Sequence, residues 1–261
     1  MSVSIGLLGN DFSLVAGDDR ATSADLKTWN DGINKVFQVP FGFVASSGGI
    51  AGVKNRFEHR LNNCTIRTRQ DIWKHFCYAS RDCENFLLSG GIHDKCIATS
   101  RFVYSLNCFK DGVLNMEIET LDFMFHTRKL KTQNTLIVNA PKDTKRIRRL
   151  KEKYFEQAKT VKDMHEAVYL VACLIDEMAK LTKLISNNVC CGITYKLSDN
   201  EAIFLKVTEN AKAIKRCTKR SWIYQRLCML WEGLIMLKYR GHYRVVCECD
   251  KRTGKPGENM F

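Results

Sequence analysis

Apolar and small polar residues alternate from the first positions of the chain. Val3, Ile5 and Leu7 fall on one side of a two-residue period, Ser2, Ser4 and Gly6 on the other, which predicts a strand. Gly9-Asn10-Asp11 is a turn signal, and Phe12 to Gly17 returns as a second strand to complete a hairpin. Val36–Val39 and Phe41–Ala45 predict another hairpin around Pro40. The small residues Ser46-Ser47-Gly48-Gly49 then turn the chain into a helix from about Ile50 to Leu61. Ile72, Phe76, Cys83 and Phe86 recur near helical spacing, so a second helix is expected over about Arg69 to Leu88, ended by Gly90-Gly91. Strands are expected at Cys96–Asn107, Val113–Thr120 (after a turn at Phe109–Gly112) and Thr135–Val138. Helices are expected at Lys142–Ala158 and Asp163–Thr182; the second carries an apolar stripe of Met164, Val168, Val171, Leu174, Ile175 and Met178. Val189–Lys196 and Ala202–Val207 form a last hairpin around Ser198-Asp199-Asn200. Strands and helices thus come in segregated runs, which predicts an α+β layered domain rather than a parallel α/β sheet.

Beyond residue 210 the pattern changes. Trp222, Ile223, Leu227, Leu230, Trp231, Leu234, Ile235 and Leu237 predict an apolar helix that packs on its own domain or on a neighbouring subunit. The division is therefore a domain over 1–210 and a basic, partly apolar helical extension over 211–261.

The chain has 261 residues and 45% hydrophobic residues, enough to bury a substantial core. Its start lacks the basic and apolar regions of a signal peptide, and Leu227–Leu237, interrupted by Glu232, is too short to span a membrane. The expectation is a soluble cytoplasmic protein with no membrane partner. Its twelve cysteines lie scattered in apolar runs, which suits reduced thiols better than a disulfide framework. His242, Cys247 and Cys249 are the one cluster with metal-like spacing, but a second cysteine pair is lacking, so no metal or organic cofactor is expected. The net charge is +13. The excess gathers on the predicted helix at Lys142, Lys145, Arg146, Arg148, Arg149, Lys151 and Lys153, and over 211–261, where twelve Lys/Arg stand against four Asp/Glu. These read as solvated faces, or as contacts for an acidic partner; no nucleic-acid motif accompanies them.

The candidate chemistry lies in short motifs. Val15-Ala16-Gly17-Asp18-Asp19-Arg20-Ala21-Thr22 ends the second strand, Lys35-Val36 opens the third, and Ser47-Gly48-Gly49 precedes the first helix. Lys159 to Ala167 starts the fourth helix and Ser186-Asn187-Asn188 precedes the penultimate strand. In order and spacing these resemble proteasome β-subunits and the two-ring bacterial peptidase HslV, over about residues 2–210. The resemblance implies the N-terminal nucleophile hydrolase fold, a four-layer αββα sandwich.

It also implies a site. The family's nucleophile lies sixteen positions before the motif aspartate, and sixteen before Asp18 is Ser2, which removal of Met1 would leave with a free α-amine. That amine would be the base, Lys35 would stabilise the developing alkoxide, and Asp18 would hold Lys35. The Gly48 N–H would serve the oxyanion, and Ser186 is the late serine of the set. The implied activity is a self-compartmentalising endopeptidase acting on polypeptides without a cofactor, in a homo-oligomeric ring, with an unfolding ATPase ring as a candidate partner. The alternatives are a non-catalytic structural subunit and a small-amide hydrolase on the same fold. Three positions depart from the family: Ser replaces Thr as nucleophile, Asn139-Ala140-Pro141 brings no hydroxyl to the turn before the third helix, and Lys183 stands in place of an aspartate.

Overall fold

The computed structural model of the chain describes residues 2–22, 27–48, 51–66, 68–89, 100–110, 113–122, 127–130, 134–140, 144–199, 201–216, 245–246 and 252–253. The first hairpin joins β1 (Ser4–Leu8) to β2 (Phe12–Asp18), pairing Ser4 with Gly17. Its turn is closed by the Gly9 N–H donating to the Phe12 carbonyl at 2.9 Å. A small ribbon of β3 (Ala21–Thr22) and β4 (Trp29–Asn30) follows, then the hairpin of β5 (Val36–Val39) and β6 (Gly42–Ser47). Helices α1 (Ala51–Asn63) and α2 (Arg69–Ser89) lead to β7 (Arg101–Lys110), β8 (Val113–Asp122), β9 (Thr127–Leu130) and β10 (Thr135–Asn139). Helices α3 (Lys145–Ala158) and α4 (Met164–Leu181) precede the long hairpin of β11 (Asn188–Ser198) and β12 (Glu201–Asn210), and β13 (Val245–Val246) and β14 (Arg252–Thr253) add short pairings to β12.

Two large sheets result. One runs β10-β1-β2-β11-β12-β13, the other β5-β6-β7-β8-β9, and all their ladders among the described residues are antiparallel. The alternation along β1 explains how they pack. Val3, Ile5 and Leu7 join Leu150, Tyr154, Val171 and Ile175 of α3 and α4 in one buried cluster. Leu8 and, from the opposite side of β2, Val15 join Val36, Phe43, Ala45, Val103 and Ile118 of the second sheet. On the far face of that sheet Phe57, Phe76 and Phe102 meet edge-on, with ring centroids 4.9 to 5.5 Å apart, bringing α1 and α2 onto β5–β8. β2 and β6 are buried at every residue because both faces are covered, so neither shows a polar side in its sequence.

A polar group crosses the inter-sheet layer at the end away from the β2–β5 junction. Asn107 accepts from Ser13 Oγ at 2.9 Å and donates to Thr194 Oγ1 at 2.8 Å and to the Phe41 carbonyl at 3.1 Å. Asn107→Ala leaves the Ser13 and Thr194 hydroxyls without this partner, while the Phe41 carbonyl keeps the residue-107 backbone N–H at 3.0 Å; a loss of about 3 kcal/mol in unfolding free energy is expected, read as a lower urea midpoint with an unchanged slope. A midpoint equal to wild type would show that the group contributes nothing.

Several expectations are corrected. α3 begins at Lys145, not Lys142, because Thr144 caps it, its Oγ1 accepting from the Ile147 N–H at 3.3 Å. α4 spans Met164–Leu181, with Asp163 as its cap: Asp163 accepts from the Glu166 N–H at 2.9 Å, while Glu166 accepts from the Lys162 N–H at 2.8 Å. β7 runs on to Lys110 through the expected turn at Phe109. β3, β4, β9, β13 and β14 have no counterpart in the sequence reading. Helical residues 211–216 continue into the core, with Ala211 and Ile214 fully buried and Lys215 bound to Asp176 at 2.8 Å. The expected Gly90-Gly91 stop, the Trp222–Leu237 helix and the His242, Cys247 and Cys249 cluster lie outside the described residues. Among the described residues, no helix is long and apolar enough to cross a membrane.

Candidate active site

The end of β2, the start of β5 and the residue before β1 converge. Asp18, the last residue of β2, is fully buried. Its Oδ1 accepts from the Val3 N–H and its Oδ2 from the Arg20 N–H, both at 3.0 Å, and the Ser186 N–H approaches Oδ2 at 3.4 Å. Lys35, just ahead of β5, reaches both Asp18 oxygens at 3.3 Å. Its Nζ also donates to the Ser2 Oγ at 2.5 Å and to the Arg20 carbonyl. The Ser2 hydroxyl donates to that same carbonyl at 3.3 Å. Ser2, Asp18 and Lys35 are thus one buried constellation that spans the gap between the sheets.

Burial sets its electrostatics. Loss of solvation pushes the Lys35 ammonium below the ordinary lysine range, opposed by the Asp18 charge. Burial likewise pushes the Asp18 carboxyl up, opposed first by Lys35 and then by its three backbone donors. The pair therefore restrains the shift that burial would impose on each partner alone.

Around this centre lie the expected Ser186 and Gly48, together with Asp19, Arg20, Asp31 and Asn188, to which the sequence reading gave no catalytic role. Asp19, next to Asp18, accepts from Ser186 Oγ at 2.5 Å, from Asn188 Nδ2 at 2.9 Å and from the Gly32 N–H at 2.9 Å. Ser186 therefore touches the constellation through its backbone N–H, while its hydroxyl turns to Asp19. The Arg20 side chain forks onto Asp31 with two bonds of 2.7 Å, donates to the Lys183 carbonyl at 2.8 Å and lies 5.1 Å from the Trp29 ring centroid. It ties the β3–β4 ribbon to the loop after α4 and fixes the carbonyl that Ser2 and Lys35 share. Gly48 follows the end of β6 with φ +69°, a left-handed conformation that favours glycine. The tandem Asp18-Asp19 was the available signal for the outer network, since consecutive strand residues point to opposite faces.

What the fold defines is a class: a mixed α+β protein built on antiparallel sheets. Within that class the chain shares its fold with Anbu. It superposes on a Gly-1 mutant of Anbu from Hyphomicrobium sp. strain MC1 with a TM-score of 0.59 at 10% identity, covering 90% of this chain and 99% of that one. Anbu from Yersinia bercovieri, described as an ancestral β-subunit, gives 0.56 at 12% identity over 89% and 98% of the two chains. Another Anbu structure from Hyphomicrobium sp. strain MC1 gives 0.56 at 11% identity, over 89% and 99%. No protein-family profile and no curated protein sequence matches the chain.

These findings correct the resemblance to proteasome β-subunits and HslV. The three structures above that share the fold are Anbu, and no sequence match supports either of the expected groups. The motifs behind the expectation sit at a strand end, a strand start and a strand-to-helix turn. Each of these motifs is only two to eight residues long, too little sequence to separate groups that share a fold at 10–12% identity.

Proposed function

We propose that the chain is an Anbu-like peptide hydrolase whose nucleophile is Ser2, exposed as the first residue by removal of Met1. The observation that carries the reading is the contact of the Lys35 Nζ with the Ser2 Oγ at 2.5 Å, backed by the buried Asp18 carboxylate. A serine hydroxyl beside a buried cation loses its proton more readily, because the cation stabilises the alkoxide.

In the proposed reaction the free α-amine of Ser2 takes the hydroxyl proton as Oγ attacks a peptide carbonyl. The tetrahedral oxyanion is held by the Gly48 N–H. The amine then passes the proton to the leaving nitrogen, the C–N bond breaks, and an ester to Ser2 remains for water to hydrolyse. The reference pKa of an α-amine, about 7.7–8.0, suits both transfers.

We also read the architecture as four layers, αββα. Support comes from its three buried clusters, one under α3 and α4, one between the sheets and one under α1 and α2. A closed homo-oligomeric ring would enclose the sites and make the enzyme an endopeptidase of unfolded chains.

The test is direct. The purified protein should have the mass of the chain without Met1, and a peptide vinyl sulfone should add once, at Ser2. Ser2→Ala should remove the labelling while leaving the melting temperature within a few degrees. Retained Met1, or equal labelling of the alanine variant, would overturn the reading. An unlabelled but ring-shaped wild-type particle would make the chain a scaffold.

A further inference from the structure

The hydroxyl that Ala140 fails to supply draws attention to a second polar contact beneath the site. Ser4 lies two residues after Ser2 and so on the same side of the strand. Its Oγ is 2.7 Å from the Ser47 Oγ and accepts from the Asn139 Nδ2 at 3.3 Å. Ser4 is fully buried and Ser47 is 3% exposed. Ser47 is the last residue of β6 and immediately precedes Gly48. Its neighbour Ser46 is fixed as well, the Ser46 N–H and Oγ both donating to the Lys35 carbonyl at 3.0 and 3.3 Å.

The end of β6 is therefore held twice. Ser46 ties it to Lys35 just ahead of β5, and Ser47 ties it across the sheet gap to β1, the strand that Ser2 leads into. We propose that Ser4 and Ser47 are positioning residues, whose hydroxyl–hydroxyl bridge, steadied by Asn139, sets the Gly48 N–H relative to the Ser2 nucleophile. The inference rests on the reading of Ser2 given above and adds two residues to that site.

The physical basis is the stiffness of a satisfied buried network. Ser4 and Ser47 satisfy each other in a buried, low-dielectric layer with no water to turn to, so each fixes the other, and the half-buried Asn139 adds a third bond at the edge of that layer. Gly48 has a left-handed backbone and no side chain to anchor it, so its orientation depends on the residue before it. A displacement of about 1 Å at an oxyanion donor is enough to slow acyl transfer by about a hundredfold. Loss of one side-chain anchor, with the Ser46 anchor intact, should allow part of that movement.

The experiment uses the full chain with Met1 removed and compares wild type with Ser4→Ala, Ser47→Ala, the double variant and Ser47→Thr. Three quantities are read: amide hydrogen exchange at Gly48, the rate of labelling by a peptide vinyl sulfone, and kcat and KM on a fluorogenic peptide. Each alanine variant is expected to speed Gly48 exchange and to lower kcat about tenfold, with KM changed less than about twofold. The double variant should lose no more than either single, because both remove the same bond. Ser47→Thr, which keeps the hydroxyl, should restore most of the rate. Alanine variants that label at the wild-type rate, or a threonine variant no better than alanine, overturn the proposal and leave Ser2 as nucleophile. A wild type that does not label sinks the Ser2 reading instead; Gly48 exchange unchanged by Ser4→Ala and Ser47→Ala then sinks the bridge as an anchor as well.

Discussion

Lys35→Met is expected to reduce peptide hydrolysis by about a thousandfold and to lower stability by about 3–5 kcal/mol, the range for removing one partner of a buried ion pair. Methionine keeps the length and volume of the lysine stem, so packing is largely retained and the loss is electrostatic. Asp18 would remain fully buried, with its three backbone donors and no counter-charge. For a chain of this size such a loss corresponds to a fall in melting temperature of about 10 °C. Adding Asp18→Asn to Lys35→Met should recover part of the stability and none of the activity.

The pH dependence has a definite sign. In the proposed mechanism, activity is expected to rise with pH as the Ser2 α-amine loses its proton, and to fall as Lys35 loses its own. Burial lowers the Lys35 pKa, so the falling limb lies below the ordinary lysine range. Asp18 opposes that lowering, so Asp18→Asn should move the falling limb to still lower pH. Profiles of kcat/KM from pH 6 to 11 would show both limbs; a Lys35→Met enzyme that keeps wild-type activity would remove Lys35 from the chemistry.

How much of this was legible depended on how local each feature is. β1 and β2 could be read from the alternation of Val3, Ile5 and Leu7 and from the turn residues Gly9-Asn10-Asp11. The β11–β12 hairpin was readable for the same kind of reason. The α3 boundary was written in Thr144, a hydroxyl three residues before the first buried position, but helical periodicity running back to Lys142 hid it. β9 was not legible at all, since Thr-Arg-Lys-Leu has no apolar alternation and becomes a strand only by pairing with β8. At the site, Ser2, Asp18, Lys35 and Gly48 came from motif spacing and not from periodicity. The Asp19–Ser186–Asn188 group, the Arg20–Asp31 fork and the Ser4–Ser47 bridge join segments far apart in sequence, and only tertiary structure brings them together. The likeness to Anbu was not legible, because it lies in the chain trace and not in the sequence, where identity is 10–12%.

Gly192→Val tests the same dependence on tertiary contact from the opposite side of the sheet. Gly192 lies in the middle of β11, opposite Val15 of β2. A side chain there would run into the root of the Phe43 ring, with its Cβ 2.7 Å from the Phe43 Cβ. Phe43 is 1% exposed and packs on Phe204 with ring centroids 6.0 Å apart, and its own Cβ moves only with the backbone of β6. The strain can be relieved only by separating the sheets, at a cost of about 3 kcal/mol or more. Gly6→Ala is a parallel test, because its Cβ would meet the branch methyls Ile118 Cγ2 and Val103 Cγ1 at 2.5 and 2.7 Å, on stiff and fully buried side chains of the other sheet. The separation reaches the site because Asp18 comes from one sheet and Lys35 from the edge of the other, joined by contacts of 3.3 Å. The expected result is therefore twofold: a melting temperature about 10 °C lower, and vinyl sulfone labelling per folded molecule that falls further than the unfolded fraction explains. Pairing Gly192→Ala with Phe43→Gly, which removes both the ring and the opposing Cβ, should restore labelling before it restores full stability. Labelling that tracks the folded fraction alone would mean that the Ser2–Lys35–Asp18 geometry does not depend on the spacing of the sheets.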